Sequence, residues 1–94
     1  MIINTMYDKQ KTSIAFKKAK SHLEKILKMV DQDVYCIDVM QQNLAVIGLL
    51  KSAHQQLMEG HLNSCFKHAM EKGDEKTKQK MVEEMLTVTK LFNR

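Results

Sequence analysis

The chain has 94 residues and a mass of 10.9 kDa, which is room for one small domain and no second. Apolar residues make up 44% of it, no run of about 18 uncharged apolar residues occurs, and proline is absent, which argues against disorder, a membrane span and a turn-rich β-fold. Fifteen Lys plus Arg against eleven Asp plus Glu leave a formal charge of +4 and a pI near 9.1, compatible with a nucleic-acid partner without requiring one.

Residues 1–8 read as a loose arm. They lack the basic-then-apolar order of a secretory signal, so the cytosol is the expected location. From about residue 9 to 30, Ala15, Ala19, Leu23, Ile26, Leu27 and Val30 recur at spacings of three and four, which predicts a first helix with one apolar face. Lys17, Lys18, Lys20, Lys25 and Lys28 fill much of its remainder, a solvated face or an anion-binding one. Asp33, in the polar break that follows, is placed to cap a second helix by accepting an orphan N–H.

From about residue 34 to 72 nothing stops a helix, since neither Gly48 nor Gly60 has a turn-like neighbourhood. Its apolar positions, Ile37, Met40, Leu44, Ile47, Leu50, Leu57 and Leu62 among them, are too widely spread for one partner helix. Gly73, suited to the left-handed conformation at a helix C-terminus, ends it. A third helix, about 75 to 92, carries Met81, Met85, Val88 and Phe92 on one stripe. Three helices of such unequal length cannot enclose the middle one, so helix-on-helix assembly between chains is expected.

Two cysteines in a reducing compartment suggest free thiols, metal ligands or reactive groups in preference to a structural disulfide. His61 and Cys65, at i and i+4, share one side of the second helix with Cβ atoms about 5–6 Å apart, a spacing that can clasp zinc, copper or a soft cuprous ion. Cys36 stands 25 residues before His61, roughly 37 Å away along a continuous helix. Two antiparallel copies of that helix would bring Cys36 of one chain to His61 and Cys65 of the other. His54 and His68 share a heptad-related stripe with His61, and Met58, one turn before His61, offers a thioether; methionine on such a stripe is more often packing. His22 reads as an ordinary surface histidine. No nucleophile, base and orienting group occur at recognisable spacing and there is no phosphate loop, so the chain is not expected to be an enzyme.

Residues 33–65 resemble the copper-sensing and nickel-sensing repressor family (CsoR/RcnR type) of small bacterial transcription factors. The likeness is closest at Tyr35-Cys36-Ile37-Asp38-Val39, the family's YCIDV segment, with Gln42, Ala45, Val46 and Leu50 at matching offsets, and it closes on Gly60-His61-Leu62 and Cys65, similar to the family's HLxxC. The wider pattern fits from about residue 15 to 92.

The resemblance implies one metal-sensing repressor domain over residues 1–94 and an all-α fold: a three-helix protomer with a long central helix, paired into an antiparallel dimer and then a disc-like tetramer based on four-helix bundles. It implies trigonal Cu(I) binding by Cys36 of one chain with His61 and Cys65 of its partner. Zn(II), or no metal, is the alternative. Tyr35 and Glu84, with Glu83 as competitor for the latter, are implied to bond the ligand histidine and couple the metal to operator double-stranded DNA. Nickel and cobalt sensors of the family use an extra N-terminal histidine and a histidine in place of Cys65, and persulfide sensors lack the histidine. The set here therefore resembles the Cu(I) branch.

Lys17, Lys18, Lys20 and Lys25 are the implied DNA contacts. The family's first-helix segment is close to RIEGQVRG, and the aligned residues here are Lys18-Ala19-Lys20-Ser21-His22-Leu23-Glu24-Lys25. Glu24 stands where the family has an arginine, which removes a bidentate donor and sets a carboxylate toward phosphates. The two thiols leave a persulfide- or oxidant-responsive repressor on the same scaffold as an alternative, and Glu24 motivates a further one, a metal-binding tetramer without DNA regulation.

Overall fold

The computed structural model describes residues 7–94. Helix α1 spans Lys9–Asp31 and α2 spans Cys36–His61; a π-helical turn, Leu62–Phe66, leads into the short α3, Lys67–Lys72, and α4 spans Glu75–Phe92. Right-handed helical dihedrals at His61 and Lys67 carry the path through the π turn, so α2, the turn and α3 form one rod. The described residues thus form three helical rods with a long central one and no strand, the all-α protomer that the sequence predicts. The central rod departs from expectation in beginning at Cys36 and in not being α-helical throughout.

The helix ends correct three further expectations. Of the proposed arm, residues 1–6 lie outside the described residues, while Asp8 belongs to α1: its carboxylate accepts the Lys11 N–H at 3.0 Å and caps the first turn. Asp33 does not cap α2. It has a positive φ of 55° and closes α1 instead, with the Asp33 N–H donating to the Val30 carbonyl at 3.2 Å and the Val34 N–H to Met29 at 3.0 Å. This pair of bonds is a Schellman closure, and aspartate is among the few non-glycine residues that enter the left-handed region readily.

Gly73 is not left-handed either. Its backbone is extended (φ −79°, ψ 161°), and glycine is required because a Cβ there would sit 2.6 Å from the Ala69 carbonyl oxygen. Asp74 then caps α4 by accepting the Thr77 N–H at 2.8 Å, and this bond holds its carboxyl below the usual carboxylate range.

Helices α1 and α2 form an antiparallel hairpin, since His22 meets Gln42 near the loop while Lys11 lines a recess with Gln56 at the far end. Its seam is made of small residues. Thr12 and Ala19 of α1, and Val46 and Ala53 of α2, are buried, Ala53 completely. Small side chains let the two backbones approach closely. The apolar stripe read from the sequence is accordingly off the seam in part: Ala19 faces α2, but Leu23, Leu27 and Val30 are exposed.

The described residues extend 56 × 28 × 14 Å. With helices about 10 Å across, the thin dimension holds a single layer. A single layer has no second layer to bury its faces against, and no large side chain is fully buried. Leu27 (69% exposed), Leu44 (65%) and Leu86 (62%) show the result. Covering each of them would contribute on the order of 1–2 kcal/mol.

Candidate metal centre

Cys36 is the first residue of α2 and is exposed. Tyr35 precedes it at the N-cap, where its carbonyl accepts the Asp38 and Val39 N–H groups and its side chain, 67% exposed, makes no capping bond. His61 and Cys65 lie at the other end of α2 and are half-buried. The His61 ring is tilted against Phe66, with centroids 6.3 Å apart. Cys65 sits inside the π turn, whose hydrogen bonds span one residue more than those of an α-helix and so widen the rod between the two donors. Ser64 Oγ donates to the Gly60 carbonyl at 2.7 Å within this segment.

The α-helix between Cys36 and His61 is unbroken, so they stand roughly 37 Å apart by helical rise, and the structure does not bring them together within one protomer. Among the described residues no three His, Cys, Asp or Glu side chains of one chain converge on a point that could hold a metal ion. The donor set nevertheless fits a soft ion: two thiols, both free, and an imidazole. Tyr35 lies at the Cys36 end. Glu84 is exposed on α4, and no hydrogen bond among the described residues joins either of them to His61. Glu83, the competitor, is also exposed, and its carboxylate accepts from Gln79 at 3.4 Å.

Lys17, Lys18 and Lys25 border one groove. With Ser21, His22 and Leu49 they line its ≈590 Å³ between α1 and α2, and Lys18 also borders the ≈230 Å³ recess that Lys11 enters. Lys20 is exposed and does not line this groove; neither does Glu24. The carboxylate that departs from the family pattern therefore lies off the groove that three of the four candidate lysines border.

Sequence reasoning missed His22. It is half-buried, with Nε2 2.7 Å from Gln42 Oε1 across the hairpin, beside the basic groove. Its position three residues beyond Ala19, on the buried seam, was the available signal. It also missed the role of His54, whose ring stacks on Phe92 at 4.8 Å with 10° between planes.

The profile of the family described as metal-sensitive transcriptional repressor matches residues 8–90. Three similar proteins carry the name copper-sensing transcriptional repressor. CsoR of Mycobacterium ulcerans strain Agy99 is 38% identical over 64 residues, 67% of this chain and 55% of that protein. RicR of Mycobacterium tuberculosis H37Rv is 30% identical over 87 residues, covering 90% of this chain and 91% of the relative. CsoR of Bacillus subtilis strain 168 is 30% identical over 94 residues, covering 98% and 90%. The matches to the mycobacterial CsoR proteins span little more than half of those proteins' length, 55–60%. No solved structure matches the chain. The matched residues run from the cap of α1 almost to the end of α4 and contain Cys36, His61 and Cys65, and the chain belongs to the metal-sensitive transcriptional repressor family.

Proposed function

We propose that the chain is a Cu(I)-responsive repressor of transcription that binds operator double-stranded DNA as an assembly of copies. In this reading Cu(I) is held by Cys36 of one copy with His61 and Cys65 of its antiparallel partner. The family is one of transcriptional regulators and not of enzymes. The observation that carries the reading is the split donor set: an exposed thiol begins α2, and a half-buried imidazole and thiol lie at its far end. A second copy running the other way completes both ends at once and gives two equivalent sites. It also supplies the missing second layer for Ile37, Met40, Leu44 and Ile47, all exposed on α2.

Two thiolates and one imidazole suit Cu(I) and disfavour hard divalent ions through softness and low coordination number. When bound, the ion contributes a crosslink between two copies, strongest in the arrangement of helices that seats all three donors. In this reading Tyr35 enters with Cys36 and bonds the partner's imidazole, and Glu84 of α4 bonds the same ring. On the DNA side, Lys17, Lys18 and Lys25 present their charges along one groove, with Lys20 on the adjoining face. If that arrangement binds DNA less tightly, then copper and DNA weaken one another by the same factor.

An anaerobic Cu(I) titration run alongside operator binding tests this. Saturation at one ion per protomer with a fall in DNA affinity is expected; unchanged DNA affinity on metallation contradicts it. A thiol-responsive repressor is the second reading, favoured by the exposure of Cys36, which leaves it open to persulfides and oxidants. It predicts a sulfur-linked dimer through Cys36 and Cys65 that survives His61→Ala. A metal-binding assembly without DNA regulation is a third reading, and strongly salt-dependent binding to a specific operator excludes it.

A further inference from the structure

The central rod and α4 border a partly open cavity of ≈290 Å³ lined by His54, Leu57, Met58, His61, Met85 and Val88. Four of these six residues carry a nitrogen or thioether donor. His54, Met58 and His61 follow one another at spacings of four and three, so they share one face of α2, and Met85 comes from α4 opposite. The His54 ring is held in plane by its stack on Phe92, one of the last residues of α4. No carboxylate lines the cavity, and its remaining walls are the aliphatic Leu57 and Val88.

Thioether and imidazole donors in an apolar, carboxylate-free cavity suit a soft monovalent cation. Calcium, magnesium and manganese require oxygen ligands that the cavity does not supply. We propose that His54, Met58 and Met85 form a second soft-cation site, taking Cu(I) or Ag(I), with His61 as the wall that it shares with the intersubunit thiol site. With His61 engaged elsewhere, one imidazole and two thioethers remain, a complete set for a three-coordinate ion. All these donors are neutral, so the site binds more weakly than a thiolate pair and fills second. It uses neither cysteine, and it stands or falls separately from the intersubunit reading.

The test uses the full-length chain with 13C-labelled methionine methyl groups, titrated anaerobically with Ag(I) as a redox-stable probe and then with Cu(I). In the C36S/C65S variant, the first equivalent is expected to shift the Met58 and Met85 methyl resonances and leave Met40, which is 54% exposed, in place. In the wild-type chain the same shifts are expected with the second equivalent where the thiols take the first, and with the first equivalent where they take none. Zn(II) is expected to move neither. The M58L/M85L variant, which conserves side-chain volume and so keeps the fold, is expected to lose this event while the chain's thiols still take their ion. If Ag(I) moves no methionine methyl, or moves Met40 as far as Met58, the site does not exist. If the cavity responds but the thiols take no ion, this proposal stands and the intersubunit reading fails.

Discussion

The two ends of α2 are unlike in almost every respect. At its start, Cys36 is an exposed thiol on an ordinary first turn, beside an exposed tyrosine. At its end, His61 and Cys65 are half-buried where the rod widens into a π turn, with α4 folded back so that Met85 shares a cavity with His61. One end is open and carries a single donor; the other is walled and carries two. In the proposed reading the protomer therefore holds two unlike halves of one site, and neither half alone supplies three donors. The same incompleteness marks the packing, because a layer of helices 14 Å thick leaves large apolar side chains exposed on α1, α2 and α4.

The sharpest way to break the comparison is to remove one donor from each end. If both ends serve one site, Cys36→Ser and Cys65→Ser are expected to weaken Cu(I) binding equally, and by more than the ~10–100-fold typical of losing an outer partner of a ligand. Competition with a Cu(I) chelator measures this. Unequal losses would mean that the walled end binds the ion alone.

The seam is the next largest effect. Ala53→Leu forces a bulky side chain between α1 and α2 where Ala53 is completely buried, and it is expected to cost about 1–3 kcal/mol in denaturant unfolding. The basic groove follows. Lys18→Ala is expected to reduce the salt slope of DNA binding by about 1, whereas Glu24→Gln, off the groove, changes affinity less than Lys18→Ala does. Binding isotherms at several salt concentrations separate the two.

The smallest effect lies at the α4 cap. The folded-state carboxyl of Asp74 lies below its ordinary value of 3.8, chiefly because it accepts the Thr77 N–H. Its stabilisation of α4 is therefore present above that ordinary value and is lost as pH falls through the lowered one. Amide exchange at Thr77 and Lys78, corrected for the intrinsic rate, is expected to accelerate only in that acidic range, and Asp74→Asn to remove most of the dependence.

Much of this architecture is legible in the sequence, since apolar stripes place the first and last rods, the lack of a breaker from about residue 34 to 72 places the central one, and the Cys36 to His61 interval places those donors at opposite ends. What escaped depends on contacts between distant segments or on backbone detail. The pairing of His22 with Gln42 requires the register of the hairpin, and the stack of His54 on Phe92 requires the return of α4. The π turn has no residue signature in Leu62–Phe66. Asp33 and Gly73 mark the right boundaries for other reasons than those read from their types: aspartate takes the left-handed backbone, and glycine makes way for the Ala69 carbonyl. Only the likeness to the family favours Glu84 over Glu83, since both are exposed on α4.

Subunit complementation tests the intersubunit site most directly. Chains carrying Cys36→Ser keep His61 and Cys65, and chains carrying His61→Ala with Cys65→Ser keep Cys36, so a dimer of one with the other rebuilds one complete site and one empty site. Each variant alone is expected to lose tight Cu(I) binding, and the mixed dimer, isolated through two different affinity tags, to recover one tightly bound ion per pair of chains. A mixed dimer that recovers none would contradict a site shared between Cys36 of one chain and His61 and Cys65 of the other.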